Sequence, residues 1–167
     1  VVRGGRIHNT LLESEYISSN ITNTGTEVQY ESGTAEIPVE VSKRDLPFKK
    51  DGWLFDWPKL YEVPDVSIYK LVLAESPHII EGLVMLSIIN KEMVYMNNIE
   101  IAPHNFGRNG RYKNTAACLI SFACHKSFED GKGNYHGFLS FDSKTELISL
   151  YQKKYGAKLI GRNKMYI

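Results

Sequence analysis

The sequence predicts an α/β protein with one mixed sheet, antiparallel in its early strands and parallel at its centre. Two observations carry this. Three β-rich runs, Ser67–Ala74, Ile79–Ile89 and Glu92–Ala102, follow one another across joints short enough for hairpins. The strand-like piece Met93–Ile101 then passes through a basic loop, His104–Lys113, into a run of helical period, and a further strand, His136–Phe141, follows that helix. A strand regained through a helical crossover lies parallel to the strand it left.

The elements follow in order. In the first stretch, Leu11, Leu12, Tyr16 and Ile17 fit one short helix, and Ser18–Thr26 is turn chemistry. Thr26–Tyr30 and Ala35–Val41 read as two strands, with Pro38 confining the second to an edge. Lys43–Lys50 is polar, with room for one helical turn. Asp51–Trp57 holds both tryptophans of the chain and Phe55, a cluster that anchors irregular chain to a core. Pro58 and Pro64 mark irregular structure before the three strands.

The crossover helix is expected over Thr115–Phe128, with Ala116, Leu119, Ile120, Ala123 and Cys124 on its apolar stripe and Gly131 at its C′ position. A second helix is expected after Ser143–Glu146, a capping-box pattern, with Leu147, Ile148, Tyr151 and Tyr155 as its stripe and Gly156 as its stop. Two short strands, Ala157–Gly161 and Asn163–Ile167, close the chain.

The 167 residues suffice for one domain, read as a variable N-terminal part over 1–65 and a core over 66–167. Apolar residues at 43% and charged residues at 23% are ordinary globular values. A formal net charge of +1 gives no global drive toward nucleic acid or an anionic membrane. No apolar run approaches the roughly 20 residues that span a bilayer, and no signal-peptide pattern opens the sequence. Cys118 and Cys124 lie about 9 Å apart along one helix axis, too far for a disulfide, so a reducing, cytoplasmic setting is expected. No Cys-x₂-Cys pair supports zinc, no Gly-x-Ser-x-Gly a hydrolase, and no Gly-x-x-x-x-Gly-Lys-Ser/Thr loop nucleotide hydrolysis.

The loop before the crossover helix is the chemical focus. Arg108, Arg111 and Lys113 are concentrated among glycines and asparagines, directly before a helix N-terminus. Free N–H groups and partial positive charge there, with cations alongside, suit a phosphate.

Ile101-Ala102-Pro103 ends a strand, Arg111–Ala116 leads into a helix and Leu150-Tyr151 through Gly156 closes another, and in this order the chain over about Ile79–Ile167 resembles the GNAT acetyltransferase superfamily. Ile101-Ala102-Pro103 takes the place of the strand-ending Val-x-Pro. Arg111-Tyr112-Lys113-Asn114-Thr115-Ala116 takes that of the phosphate-binding turn, with Asn114 where Gly is usual and a longer connection from Pro103. Leu150-Tyr151 through Gly156 takes that of the closing Tyr and Gly. The chain also looks like stand-alone GNAT-like proteins that carry a W-L-F-D-W segment.

The resemblance implies a V-shaped cleft for acetyl-CoA and acetyl transfer to a primary amine by direct attack, with no metal. It implies that backbone groups of Arg111, Tyr112, Lys113, Asn114, Thr115 and Ala116 cradle the pyrophosphate. Arg108, Arg111 and Lys113 would add charge, and main-chain groups at Ile99 and Ile101 would hold the pantetheine arm. Tyr151 becomes the candidate general acid, with Tyr155 as fallback. Glu100 becomes the candidate base, with His104 and His136 behind it. The acceptor, a small amine, peptide or charged tRNA, is left open, and an edge near Ala35–Val41 could pair two subunits. The alternative is a non-catalytic GNAT-like module binding protein or RNA through the basic loop and aromatics.

Overall fold

The structure, a computed structural model, describes residues 35–36 and 41–167. The expected elements at Leu11–Ile17 and Thr26–Tyr30, and most of the second N-terminal strand, lie outside the described residues. Among the described residues seven strands form one sheet: β1 (Ala35–Glu36), β2 (Val66–Leu73), β3 (Gly82–Ile89), β4 (Met93–Ile101), β5 (Leu139–Asp142), β6 (Lys158–Leu159) and β7 (Lys164–Tyr166). Their order is β1-β2-β3-β4-β5-β7-β6. Each pairing is antiparallel except β4 with β5, which is parallel as the crossover requires. The α-helices among the described residues are α1 (Trp57–Leu60), α2 (Thr115–Asp130) and α3 (Ile148–Tyr155).

The hairpin joining β3 to β4 turns on Asn90 (φ 53°) and Lys91 (φ 62°). Two consecutive left-handed residues are the geometry of a primed turn, whose twist matches that of the flanking strands.

The sheet is covered on both faces at β2 and β3, which explains why their sequences run apolar rather than alternating. One face carries Leu71, Val84, Met96 and Phe141 beneath α2. The other carries Ile68, Leu83 and Met85 beneath Trp53, Trp57, Val41 and Leu46. The aromatic segment is therefore an anchor to the core, as the sequence predicts. Ahead of it, 3-10 turns at Lys43–Asp45 and Lys49–Asp51 take up the polar stretch.

Helix α2 buries more than the expected stripe: Ala117, Cys118 and Phe122 join Leu119, Ile120 and Ala123. Each fully buried Leu or Phe contributes about 1.5–3 kcal/mol. The helix approaches β3 so closely that a Cβ on Gly82 would lie 2.8 Å from Leu119 Cδ1. Neither cysteine is in a disulfide, and burial pushes the Cys124 thiol up to about 11.

Two terminal expectations are corrected. Gly131 follows α2 but is extended (φ −68°), so it is not a left-handed cap. Glycine fits because an added Cβ would run into Ser127 O and Tyr135 O. Ser143–Glu146 forms no capping box: Ser143 Oγ donates to Lys144 O, and a 3-10 turn at Thr145–Leu147 leads into α3. Gly156 does end α3 in the left-handed region (φ 67°), and Ile148, Tyr151 and Tyr155 pack on the core. No helix among the described residues is long and apolar enough to cross a membrane.

Candidate functional site

The central feature is where β4 and β5 part. They pair only through Val94–Leu139, Tyr95–Ser140 and Met96–Phe141. At that point the β3–β4 register slips: Leu86 faces Met96 and Met85 faces Asn98, leaving Asn97 as an extra residue on β4. A bulge bends its strand and raises the local twist, which helps turn β4 away from β5. Asn97–Ile101 then runs on without β5 alongside, and a V-shaped opening results.

Backbone alternation fixes which groups line the opening. Ala102 N–H donates to Glu81 O at 2.9 Å, so it points toward β3. Successive residues point opposite ways, which turns the main-chain polar groups of Ile101 and Ile99 toward the opening. The sequence expectation chose these two residues.

At the far end of β4, Pro103–Asn105 forms a 3-10 turn and the basic loop follows. The chain leaves on an excursion, Phe106–Gly110, whose base is closed by two bonds. Arg111 N–H donates to His104 O (2.9 Å) and Tyr112 N–H to Asn105 Oδ1 (2.9 Å). The lengthened connection is thus looped out, and the chain re-enters α2 from a fixed point. Asn114 precedes the helix in the left-handed region (φ 61°, ψ 10°), a conformation that Asn tolerates better than most residues. Its carbonyl accepts from Cys118 N–H at 3.0 Å, so α2 begins at once. The N–H groups of its first turn have no intrahelical acceptors.

This geometry revises the expected cradle. The Arg111 and Tyr112 N–H groups are already used within the loop, and the Tyr112 side chain is a core residue at 6% exposure. The expected cradle narrows to Lys113–Ala116, the stretch that turns into α2 and opens it. Arg111 is exposed, with its guanidinium 5.2 Å from the Tyr112 ring centroid; Arg108 is exposed on the excursion and Lys113 is half-buried.

Tyr151 lies half-buried on α3, its ring 4.8 Å from Phe141 and 5.8 Å from Tyr155. Phe141 is the last β5 residue paired with β4, so Tyr151 sits beside the point of parting. Burial raises its phenol above the ordinary value and keeps it protonated at neutral pH.

Glu100 departs from expectation. It is 6% exposed and faces the aromatic segment. Oε1 accepts from Leu54 N–H (2.5 Å); Oε2 accepts from Phe55 N–H (3.2 Å) and the buried Trp57 Nε1–H (2.8 Å). A carboxylate so committed holds the 51–57 segment to β4, and its geometry is that of an anchor in place of the expected base. The two reserve candidates are also engaged: His104 meets Glu81 at 2.6 Å, and His136 packs edge-on against Phe128.

Sequence reading missed Glu81, which is fully buried beneath the loop. Its signal was a lone acid inside the apolar run Ile79–Ile89. It also missed Tyr95–Asp142, where the hydroxyl donates to Oδ2 at 2.7 Å; burial first, then this bond, pushes the phenol up to about 12. A pocket of about 560 Å³ lies elsewhere, near the last turn of α2 and the β3–β4 hairpin, and none of the expected site residues lines it.

No protein-family model matches the chain, and no curated protein matches it in sequence. Solved structures do match. A GNAT family acetyltransferase from Elizabethkingia anophelis with acetyl-CoA bound aligns over 79% of this chain and 94% of its own, at 15% identity and TM-score 0.53. AtaTR bound with AcCoA aligns over 80% and 92%, at 15% identity and TM-score 0.55. The Campylobacter jejuni N-acetyltransferase PseH in complex with acetyl coenzyme A aligns over 78% and 95%, at 14% identity and TM-score 0.50. The sheet order, the parallel β4–β5 pair and its V-shaped opening are accordingly those of the GNAT fold.

Proposed function

We propose that the protein is an N-acetyltransferase that moves an acetyl group from acetyl-CoA to a primary amine by direct attack. The observation that carries the reading is the junction of two features. β4 and β5 part beside Tyr151, and the same strand leads to a cationic turn that opens α2. Solved structures of the same fold that hold acetyl-CoA support it.

In this reading the pyrophosphate rests on N–H groups of Lys113–Ala116, where the helix dipole and Arg111, Lys113 and Arg108 offset its charge. The pantetheine arm lies along Ile99 and Ile101, and a main-chain N–H there polarises the thioester carbonyl. The neutral amine attacks the carbonyl carbon, and the carbon–sulfur bond breaks. Tyr151 gives its proton to the departing thiolate and regains one from solvent, while the new amide nitrogen releases its extra proton to water. Glu100 shapes the site by holding the aromatic segment. The chain acts as one domain, with acceptor choice set by its first 65 residues and loops, and the acceptor is a small-molecule or peptide amine.

Calorimetric titration with acetyl-CoA tests the reading, with an Arg111→Ala/Lys113→Ala double variant beside the parent. Binding tighter than roughly 100 μM, weakened at least about tenfold in the double variant, is expected. A folded parent that gives no heat at millimolar acetyl-CoA overturns the acetyltransferase and leaves the non-catalytic binding module.

A further inference from the structure

The basic loop has an unusual foundation. Glu81 opens the β3 region at 0% exposure, and its carboxylate serves the loop from below. Oε2 accepts from Asn105 Nδ2 at 2.8 Å and meets His104 Nε2 at 2.6 Å. Its backbone oxygen accepts from Ala102 N–H (2.9 Å) and from Asn105 Nδ2 (3.2 Å). Oε1 is buried with no hydrogen-bond partner among the described residues. A buried carboxylate with one bare oxygen is costly, and an apolar residue would be the more stable choice in this apolar run. The cost calls for a return other than stability.

The bonds show what the carboxylate holds. His104 and Asn105, its two partners, are the residues that close the excursion, through His104 O to Arg111 N–H and Asn105 Oδ1 to Tyr112 N–H. The Asn105 amide is thereby used at both ends: its NH₂ goes down to Glu81 and its oxygen goes up to Tyr112. Fixing the NH₂ on an acceptor orients the oxygen toward Tyr112. Gly110 lies against the Asn105 backbone with no room for a Cβ, so the base is tightly closed. Tyr112 stands one residue before Lys113, where the chain turns into α2.

We propose that Glu81 is the positioning residue of the phosphate turn. It acts through Asn105 and His104 to pinch off Phe106–Gly110, so that Lys113–Ala116 are preset for the pyrophosphate of acetyl-CoA. The ligand assignment rests on the proposed function above; the pinch itself does not. Glu81 touches no reacting atom, so its removal raises the dissociation constant and KM for acetyl-CoA and leaves kcat at saturation nearly unchanged.

Two measurements on the full chain separate these layers. Hydrogen exchange of the ligand-free protein reads the pinch. In Glu81→Ala, the Arg111 and Tyr112 amides are expected to exchange at least roughly tenfold faster, while Leu119 and Ala123 in α2 keep their protection. Asn105→Ala, which removes the Tyr112 acceptor directly, gives the same pattern if Glu81→Ala does not fold. Glu81→Gln, which still accepts from Asn105, restores most of the protection. Unchanged Arg111 and Tyr112 amides, or a loss shared equally by α2, overturn the proposal. Acetyl-CoA titration reads the consequence: binding about tenfold weaker in Glu81→Ala and recovered in Glu81→Gln supports the positioning role. A weakening that Glu81→Gln does not recover, or none at all, overturns it. A parent that shows the pinch but binds no acetyl-CoA overturns the functional assignment, with the pinch standing.

Discussion

Replacing Glu100 separates an anchor from a base. In Glu100→Ala, three donors lose their acceptor: the Leu54 and Phe55 amides and the Trp57 indole. Trp57 is 0% exposed, so its N–H has no water to turn to. A buried unsatisfied donor costs about 1–3 kcal/mol; the two half-buried amides recover part of their loss from solvent, for a total of about 2–4 kcal/mol. Glu100→Gln keeps one acceptor oxygen but turns an NH₂ toward a donor, for about 1–2 kcal/mol. Urea unfolding followed by circular dichroism measures the shift in midpoint. Tryptophan fluorescence locates it, because Trp53 and Trp57 are the only tryptophans in the chain. The native emission of Glu100→Ala should shift to the red as water reaches Trp57. A Glu100→Ala protein within about 0.5 kcal/mol of the parent, with unchanged emission, refutes the anchor. A Glu100→Gln protein of parental stability with turnover lowered by about 10²-fold or more would return Glu100 to the role of base.

Three further outcomes follow from the site and its surroundings. Tyr151→Phe should lower kcat by about 10²-fold or more with acetyl-CoA binding unchanged, because only the proton donor is lost. Since burial raises that phenol, its loss of activity with pH appears only above the ordinary tyrosine range, and Tyr151→Phe abolishes that limb. Asn114→Gly should stabilise by about 0.5 kcal/mol in thermal unfolding, relief of a left-handed side chain being partly offset by the freer unfolded chain. Asn114→Val should instead destabilise by more than about 1 kcal/mol, since a β-branched residue resists that conformation. Tyr95, held near 12 in the fold, keeps its proton where the unfolded chain has lost one. Its stabilisation is therefore complete below about pH 10 and disappears as pH rises toward 12, and Tyr95→Phe should flatten that alkaline decline in melting temperature.

What the sequence made legible was local in period or fixed by topology. The three β runs, the crossover helix and the closing Tyr–Gly helix follow from apolar spacing, and parallel β4–β5 pairing follows from the crossover itself. The left-handed Asn114 was legible because few residues other than Gly and Asn suit that position. The capping box at Ser143 failed because its hydroxyl found a nearer acceptor, Lys144 O, and a 3-10 turn formed in its place. Side-chain partners far apart in sequence were not legible. Alternation puts Glu100 on one face of a strand, but its identity as an anchor depends on Leu54, 46 residues earlier. Tyr112 looked like part of a phosphate cradle because its neighbours do; its burial and its bond to Asn105 are set by how the loop closes.

The two buried carboxylates explain how a long loop and an irregular aromatic segment are both held at the end of β4. Glu81 holds the 103–112 loop from the β3 side, and Glu100 holds the 51–57 segment from β4. The two held pieces meet at the end of β4, where a Cβ on Gly52 would lie 3.2 Å from Pro103 Cγ. Irregular backbone has no ladder of its own to fix it, and loops are ordinarily the mobile parts of a fold. Carboxylate bonds supply fixed points in its place: Glu100 accepts from the Leu54 and Phe55 N–H groups, and Glu81 holds the side chains of Asn105 and His104, the residues that close the loop. Above these fixed points, Leu54 and Phe106 present apolar side chains that are 63% and 57% exposed. Apolar groups displayed on an anchored backbone bind with little ordering cost, because the backbone has already lost its freedom on folding. Leu54 and Phe106 are thus displayed on backbone that is already held.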